Sequence, residues 1–437
     1  MRRLRSRLLA LAAIASVVVL ALAACGGDDG GSDEAGGGGG GGGETVTVLS
    51  LWGGSEKEAF DKVLAKFTAD TGIQTKYETA RDFLPVIRTR LAAGNPPSMA
   101  IVPRPGIVAD LARDGSLITL DDLGLDADAV NENYSEAWTD LTTIDEDVYG
   151  IVAKANSKST VWYDPSRLTQ EPPTNWQGLL DLTQELKGAG KTPWAVGAAD
   201  GWPLTDWFES IYLYQSGPDK YTQLFDGELA FNDQSVKDAL TEMFKVLDND
   251  NLPGGVEGAL GTPFVDSIGQ VFGTNPKAEL YYEGGFVGGI ATGQVNPKLK
   301  PGTTIDFFQF PEINPEFGTP LLGAGDVAVA FEDNDNVKEL MEYLASEEAG
   351  TTWVSTGAIV SPNKAVDLSA YPNDLVRKEA EQVRDAEVFR FDGSDLLPGA
   401  LGTEWPTVLQ GIMKTPGSMD SALDEFQDTA SAEFGSQ

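Results

Sequence analysis

TVTVLSL at residues 45–51 is a short run of β-branched and apolar residues, the pattern of a buried strand. Ser55 and Glu58 have the spacing of a helical capping box, and apolar residues then recur at helical intervals over 60–67. Gly72 ends this helix, and residues 73–77 alternate as a second strand. The stretch therefore predicts a strand–helix–strand unit.

The same alternation continues along the chain. Helical spacing recurs over 82–91 and 174–186, and strand-like runs recur at 99–102 and 193–196. Alternating strands and helices predict an α/β fold with mostly parallel sheets and ligands near the strand ends. From Glu44 onward there are 394 residues, which is more than one ordinary hydrophobic core accommodates, so we expect two lobes.

The N-terminus has the layout of a secretory signal. Arginines precede an apolar run, Leu8 to Ala24, that ends at Cys25. Leu22-Ala-Ala-Cys25 resembles the bacterial lipobox, whose Cys is acylated. We therefore predict a lipoprotein signal peptide over 1–24 and lipidation at Cys25. A plain secretory signal or a short anchor helix with an incidental Cys is the alternative.

Residues 25–43 are Gly-rich and have little to bury, which predicts a flexible tether. The rest of the chain is acidic. The formal net charge is −36, and removal of the four arginines before Cys25 changes it to −40. This charge disfavours nucleic acid as a partner, because nucleic-acid binding requires a basic patch.

Residue types that are missing from the sequence exclude several chemistries. The chain has no His and a single Cys, so a Ser-His-Asp site, a Cys-His pair, a His-based zinc site and an internal disulfide are impossible. Carboxylate catalysis is not excluded by composition. We predict no catalytic residue, no metal site and no cofactor.

A series of short motifs resembles the family 1 extracellular solute-binding proteins of carbohydrate ABC importers, over nearly all of residues 45–420. The matching motifs are Leu51-Trp-Gly53, Gly115–Asp122, Tyr149-Gly-Ile151, Lys158–Tyr163, Pro172–Trp176, Tyr281–Gly285, Glu342–Glu347 and Gly357–Pro362. Gly201–Trp207 with Lys158–Tyr163 is most similar to the α-glucoside-binding branch. Ser98 departs from the family, which has an Asp at this position.

The resemblance implies a two-lobed, periplasmic-binding-protein-like fold of type II with the ligand cleft between the lobes. The implied division is 44–155 for the first part of lobe 1, 156–320 for lobe 2, and 321–437 for a return to lobe 1 with C-terminal helices shared between the lobes. The implied function is capture of a sugar by lobe closure and delivery to the transmembrane subunits of the importer. We expect a monomer tethered by lipid to the outer face of the membrane.

The predicted ligand site combines aromatic rings for the apolar face of a sugar with polar groups for its hydroxyls. The aromatic candidates are Trp52, Trp202, Trp207, Phe286, Trp353 and Trp405. The polar candidates are Arg81, Asp82, Arg104, Asn156, Asp206, Glu283 and Glu404. Gly284 and Gly285 are added because glycines allow backbone N–H groups to approach a ligand.

Two other functions compete with sugar binding. One is a binding protein of the same fold for another small solute, such as an oligopeptide, glycerol phosphate or a polyamine, and of these a polyamine would suit the acidic balance of the chain. A surface glycoside hydrolase would need two carboxylates placed across a glycosidic bond, and no part of the sequence pairs two acids in this way.

Overall fold

A computed structural model describes residues 45–435, which lie within one compact unit, Gly43–Gln437. The predicted signal peptide (1–24), the tether (25–43) and Cys25 lie outside the described residues. Within residues 45–435, no helix combines the length and the apolar character needed to cross a membrane.

The strands of the described residues form two main sheets and one short hairpin. They are β1 (Val46–Ser50), β2 (Thr75–Thr79), β3 (Met99–Val102), β4 (Thr143–Ile144), β5 (Asp147–Val148), β6 (Gly150–Ser157), β7 (Thr160–Tyr163), β8 (Trp194–Ala195), β9 (Leu280–Tyr282), β10 (Asp306–Gln309), β11 (Leu321–Ala330) and β12 (Phe389–Phe391).

Helices surround both sheets. They are α1 (Gly54–Thr71), α2 (Phe83–Ala92), α3 (Pro105–Arg113), α4 (Ala127–Asn131), α5 (Glu136–Thr139), α6 (Trp176–Gly188), α7 (Trp202–Ser216), α8 (Pro218–Phe225), α9 (Gln234–Val246), α10 (Gly255–Leu260), α11 (Phe264–Phe272), α12 (Phe286–Ile290), α13 (Asp335–Ala345), α14 (Glu347–Val354), α15 (Asp374–Asp385), α16 (Leu401–Lys414) and α17 (Met419–Phe434). A π-helical turn, Ala291–Val295, continues α12.

The first sheet defines the first lobe. Its order is β12-β11-β3-β1-β2, and β6 pairs with β11. The predicted strand–helix–strand unit is confirmed, with β1 parallel to β2 and α1 between them. Phe60 and Phe67 of α1 are fully buried against this sheet, because their spacing places both on one face of the helix.

The predicted capping box does not form. Gly53 is the N-cap of α1 and has no side-chain cap, so Ser55 lies inside the first turn of the helix. The Ser55 hydroxyl instead accepts a hydrogen bond from the Gln294 side chain at 3.0 Å. This bond joins the first lobe to the π-helical turn of the second lobe.

The second sheet, in the order β10-β7-β9-β8, defines the second lobe. The prediction of mostly parallel sheets is wrong here, because only the β8–β9 pair is parallel. The reason is the path of the chain. β7 continues directly from β6 of the first sheet, and β10 leads back toward β11, so these two strands run in opposite directions.

The chain passes between the sheets at three crossovers: 158–159, 310–320 and 392–400. After the third crossover, Leu409 and Phe426 of helices α16 and α17 lie in the hydrophobic core of the second lobe. Helix α15 contacts both lobes, because Ala380 is part of the first-lobe core whereas Leu375 packs in a second-lobe core. The predicted domain boundaries remain predictions.

Candidate functional site

The second lobe brings several predicted site residues together at the ends of its elements. Trp202 begins α7, Asp206 lies one turn further along that helix, and Glu283 directly follows β9. Asp206 and Glu283 are buried, at 0% and 1% exposure, whereas Trp202 and Phe286 are half-buried. We call this set, with Lys158, the second-lobe cluster.

The aromatic part of the second-lobe cluster consists of three rings in mutual contact. The ring of Trp202 lies 4.7 Å from that of Phe264 and 6.0 Å from that of Phe286, centroid to centroid. Phe264 and Phe286 lie 5.7 Å apart. All three rings are partly exposed, so they form an apolar surface beside buried carboxylates. Phe264 was not predicted, since its position at the start of a helix resembles that of an ordinary core residue.

Lys158 lies at the centre of the charged part of this cluster. Its Nζ is 2.9 Å from Oδ1 of Asp206, pairs also with Asp392, and lies 5.6 Å from the ring centroid of Trp202. All three charged side chains are almost completely buried. Burial alone would lower the pKa of Lys158, but the charges of Asp206 and Asp392 raise it well above its ordinary value.

The carboxylates respond in different ways to this environment. Burial raises the pKa of Asp206 to about 6, despite the opposing effect of Lys158. Burial and the charge of Asp206 raise the pKa of Glu283 well above its ordinary value. Burial would also raise the pKa of Asp392, but the ion pair with Lys158 outweighs this effect and lowers the pKa. The cluster therefore shifts Asp392 toward its ionised form and Glu283 toward its protonated form.

Several buried acceptor atoms at this site have no hydrogen-bond partner among residues 45–435. They are Oδ1 of Asn156, Oδ2 of Asp206 and Oε1 of Glu283. An unpaired buried polar atom costs about 1–3 kcal/mol, so a ligand that donates hydrogen bonds here would gain that energy. Asn156 lies on β6, two residues before the first crossover, so the acceptors come from both sides of that crossover.

Gly284 and Gly285 do not act as predicted. The Gly285 N–H donates to the carbonyl of Ser157, and the Gly284 N–H donates to the Glu283 carboxylate, so neither is available to a ligand. The prediction of backbone N–H groups facing the ligand is therefore wrong. Gly285 is needed for a close approach, because a Cβ there would lie 1.6 Å from Oε1 of Glu379 on α15.

A similar but smaller group occupies the first lobe. Lys154 Nζ lies 3.1 Å from carboxylate oxygens of both Glu56 and Asp326, and 4.6 Å from the ring centroid of Trp52. The Trp52 indole donates to Asp326 at 3.0 Å. Its ring packs against Trp353 at 5.4 Å. We call this group the first-lobe cluster.

Five tryptophans were predicted to contact the ligand, and the structure contradicts four of these predictions. Trp207, Trp353 and Trp405 lie in hydrophobic cores at 0–2% exposure, and Trp52 is 2% exposed. Trp405, for example, packs between Phe208, Phe231 and Phe426. The prediction that these ring faces receive a sugar is wrong, because other side chains of the protein already cover them. The indole N–H groups of Trp207, Trp353 and Trp405 have no partner within the described part of the chain.

The remaining polar candidates are dispersed. Arg81, Asp82 and Glu404 are exposed, and within residues 45–435 none of them forms a side-chain hydrogen bond or ion pair with either cluster. Arg104 donates from Nη1 to the carbonyl of Gly402 at 2.7 Å, which ties the first lobe to α16. It therefore contacts the opposite lobe directly, although it was predicted to contact the ligand.

Sequence reasoning missed Lys158 and Asp392 as site residues. Lys158 is the one charged residue in the stretch 155–163, and this isolation was the available signal. Asp392 gave no such signal, because its partner is 234 residues away in the chain. In the described region, no group of three or more His, Cys, Asp or Glu side chains is arranged to hold a metal ion.

Two sheets, each with its own core, are joined by crossovers, and polar and aromatic clusters lie beside those crossovers. This arrangement defines a two-lobed α/β binding protein of the periplasmic type.

Comparison with known proteins specifies the class further. Residues 53–351 match the model of the bacterial extracellular solute-binding proteins. The osmoprotective compounds-binding protein GgtB of Synechocystis sp. is 38% identical over 383 residues, which cover 86% of this chain and 89% of the relative. The alpha-glucosides-binding periplasmic protein AglE of Rhizobium meliloti is 33% identical over 379 residues, with 82% and 81% covered.

A solved structure shares the fold. The bacterial solute receptor AcbH, described with a preference for β-D-galactopyranose, superposes with a TM-score of 0.80 at 20% identity, over 89% of this chain and 99% of that one. The chain belongs to the bacterial extracellular solute-binding protein family of ABC transporters. Its place of action is therefore extracytoplasmic.

Replacing Lys158 should reveal the cost of the buried ion group. Lys158→Met leaves Asp206 and Asp392 buried without their cation, so we expect the free energy of unfolding to fall by about 3–5 kcal/mol. Urea denaturation at pH 7 measures this quantity. The exposed Lys298 provides the control, because Lys298→Met should change stability by less than about 0.5 kcal/mol. A loss below about 1 kcal/mol for Lys158→Met would contradict the structure.

Glu379 should make stability depend on pH. Burial raises its pKa from 4.5 to about 8, so the folded protein retains a proton that the unfolded chain releases. Stability should then fall as the pH rises between these values, by up to about 1.4 kcal/mol per pH unit. Glu379→Gln should remove this component in thermal melts from pH 5 to 8, whereas Glu381→Gln, exposed on the same helix, should not. Identical pH profiles for the wild type and Glu379→Gln would refute the assignment.

Proposed function

We propose that this protein captures an uncharged sugar or oligosaccharide of the α-glucoside type by closing its lobes, and delivers it to the transmembrane subunits of an ABC importer. The observation that carries the proposal is the combination of unpaired buried acceptors with the rings of Trp202, Phe264 and Phe286. A pyranose offers a C–H face for the rings and hydroxyl donors for the acceptors.

The names of the relatives support this ligand class. One relative is described as binding osmoprotective compounds and another as binding α-glucosides. These proteins share most of their length with this chain, so the same class of small polar solute is the natural expectation for its cleft.

We further propose that the protein binds its ligand without chemical conversion. A glycoside hydrolase holds two carboxyl groups about 5–9.5 Å apart, on opposite sides of the scissile bond. The side chains of Asp206 and Glu283 instead contact each other, which leaves no room between them for a glycosidic oxygen.

A polyamine is the second candidate ligand, because the second-lobe cluster is rich in carboxylates. However, the ammonium group of Lys158 already pairs with Asp206 and Asp392 and lies beside the Trp202 ring. The protein's own cation thus uses the contacts that a polyamine would need. This favours a neutral ligand.

The arrangement in the membrane is also part of the proposal. Cleavage before Cys25 and acylation of that residue would anchor the protein, with residues 26–43 as the tether and the folded unit as a monomer above the membrane. A flexible tether would keep the receptor at high local concentration around its importer.

A thermal-shift screen tests the ligand class on the compact unit Gly43–Gln437. Trehalose, sucrose, maltose and related α-glucosides should raise the melting temperature in a concentration-dependent manner, because they bind only the folded state. Chromatography should recover the sugar intact. A rise with spermidine and not with sugars would overturn the ligand, and cleavage of the sugar would overturn the assignment as a non-catalytic receptor.

Trp202→Ala should weaken binding of the sugar found in that screen. Loss of the ring removes an apolar surface for the sugar, so we expect Kd to rise at least about tenfold, or 1.4 kcal/mol. Isothermal titration calorimetry measures this change. The matched control is Trp176→Phe, since Trp176 lies in the second-lobe core and donates to Glu242, outside both clusters. Equal affinities for Trp202→Ala and the wild type would exclude the aromatic surface from the ligand site.

Cys25→Ser should release the protein from the membrane. Without the thiol no acyl chain can be attached, so the full-length variant should appear in the soluble fraction of the producing bacterium, whereas the wild type sediments with membranes. Metabolic labelling with a fatty acid checks the modification directly. A labelled Cys25→Ser variant would show that the lipid, if any, is attached elsewhere.

A further inference from the structure

Asp206 and Glu283 form a pair of buried carboxyl groups that contact each other across two elements, helix α7 and the turn after β9. When both are ionised, each can only accept hydrogen bonds, so neither satisfies the other. Asp206 Oδ2 and Glu283 Oε1 have no other partner among residues 45–435. Two bare charges in contact in a buried site repel each other, and a proton between them removes this repulsion.

The charged groups around the pair do not supply a second cation. Lys158 faces it from the first crossover, but its ammonium is shared between Asp206 and Asp392. Burial and the charge of Asp392 raise the pKa of Asp395, which lies on the third crossover, and the charges of Lys158 and Arg104 oppose this rise. The other surrounding titratable groups are Glu209 on α7, Glu379 on α15, and Tyr281 and Tyr282 on β9.

Glu209 is a different case from Glu283. Burial raises the pKa of Glu209, yet its carboxylate accepts hydrogen bonds from Tyr221, Gly393 and Ser394. Three donors stabilise the ionised form, so the geometry supports a charged Glu209. Among residues 45–435, the Glu283 carboxylate accepts a hydrogen bond from the N–H of Gly284 alone, and it lies beside a like charge.

The turn that carries Glu283 lies where the two lobes meet. Gly285, two residues after Glu283, packs against Glu379 and donates to Ser157 at the end of β6. Gln294, further along the same segment, bonds to Ser55 of the first lobe. The carboxyl pair therefore lies beside the contact between the lobes, in a buried environment that favours the neutral form of a carboxyl group.

We propose that Asp206 and Glu283 share a proton in the ligand site, that binding of an uncharged ligand is coupled to the presence of this proton, and that the coupling selects neutral polyhydroxylated ligands over cations. The inference rests on the function proposed above. A cationic ligand would take the place of the proton, whereas a sugar leaves it in position and donates hydrogen bonds to Oδ1 of Asn156 and to the lone pairs that the shared proton leaves free on Asp206 and Glu283. The coupling follows from electrostatics alone and requires no covalent step.

Proton linkage makes the two ligand classes distinguishable. For a sugar, calorimetry in buffers of different ionisation enthalpy should detect proton uptake on binding in the pH range in which the ligand-free pair loses its proton. Its Kd should rise as the pH increases, by up to tenfold per pH unit. A cation would bind more tightly as the pH increases and would release a proton. For the wild type with a sugar, proton release, or a Kd that does not change with pH, would overturn the coupling.

Glu283→Gln is the decisive variant, because glutamine has the shape of a protonated glutamate and cannot titrate. It should bind the sugar with a Kd that changes less than about twofold over the pH range in which the wild type weakens. Glu316→Gln, at an exposed position in the crossover 310–320, should behave as the wild type. A pH dependence that persists in Glu283→Gln would overturn the role of Glu283.

A measurement without ligand separates this inference from the proposed function. Infrared difference spectra of the compact unit should contain the carbonyl band of a protonated carboxylic acid in the wild type that Glu283→Gln lacks. In Asp206→Asn, the band should be lost at a lower pH than in the wild type, because removal of the neighbouring negative charge lowers the pKa of Glu283. Absence of the band over the whole pH range would refute a protonated Glu283, even if sugars bind. If the band is present but no sugar binds, only the proposed ligand class is refuted.

Discussion

The ammonium group of Lys158, enclosed between Asp206 and Asp392, is the constraint on which the rest of the structure depends. Lys158 lies on the first crossover, Asp206 on α7 and Asp392 on the third crossover, and all three side chains are almost completely buried. Removing a charge from water costs several kcal/mol, which is recovered only when the partners hold an accurate geometry. The ion group therefore fixes the two crossovers relative to the second lobe.

The backbone around Lys158 strengthens this junction. Its N–H donates to Leu322 of β11, and its carbonyl accepts from the Tyr282 hydroxyl at the end of β9. One residue thus connects the first sheet, the second sheet and α7. The positions of Glu283 and of the Trp202 ring follow from these bonds, because Glu283 directly follows Tyr282 and Trp202 begins the helix that carries Asp206.

The sequence was sufficient for the fold because period and spacing are local properties. The strand–helix–strand unit predicted at 45–77 and the two-lobed architecture followed from them and from the motif resemblance. The strand directions in the second sheet did not follow from the sequence, because they depend on where the chain crosses between the lobes. The capping-box spacing was also misleading, since Gly53 begins the helix and Ser55 bonds to a residue 239 positions away.

The sequence pattern identified only part of the ligand site. Asp206, Glu283 and Trp202 are adjacent to helix starts and strand ends, where side chains converge in this type of fold. Trp405 has the same kind of neighbours in sequence, yet its ring is enclosed by Phe208, Phe231 and Phe426. A tryptophan suits a sugar face and a core equally well, so only the positions of distant residues separate the two cases.

The two lysine-centred clusters also limit how the lobes can move. Lys154 and Lys158 flank Asn156 on one continuous segment, and each is held by two carboxylates, so buried ion pairs fix both ends of this short segment. Lys158 further ties the first crossover to Asp392 of the third. Atoms near a hinge axis move least, and breaking the buried pair would cost about 3–5 kcal/mol. A rotation that opens the lobes at lower cost must therefore have its axis close to the line through Lys158 and Asp392. The acceptor oxygens of Asn156, Asp206 and Glu283 would then stay near that axis, while the contact between Ser55 and Gln294 would be among the first to separate.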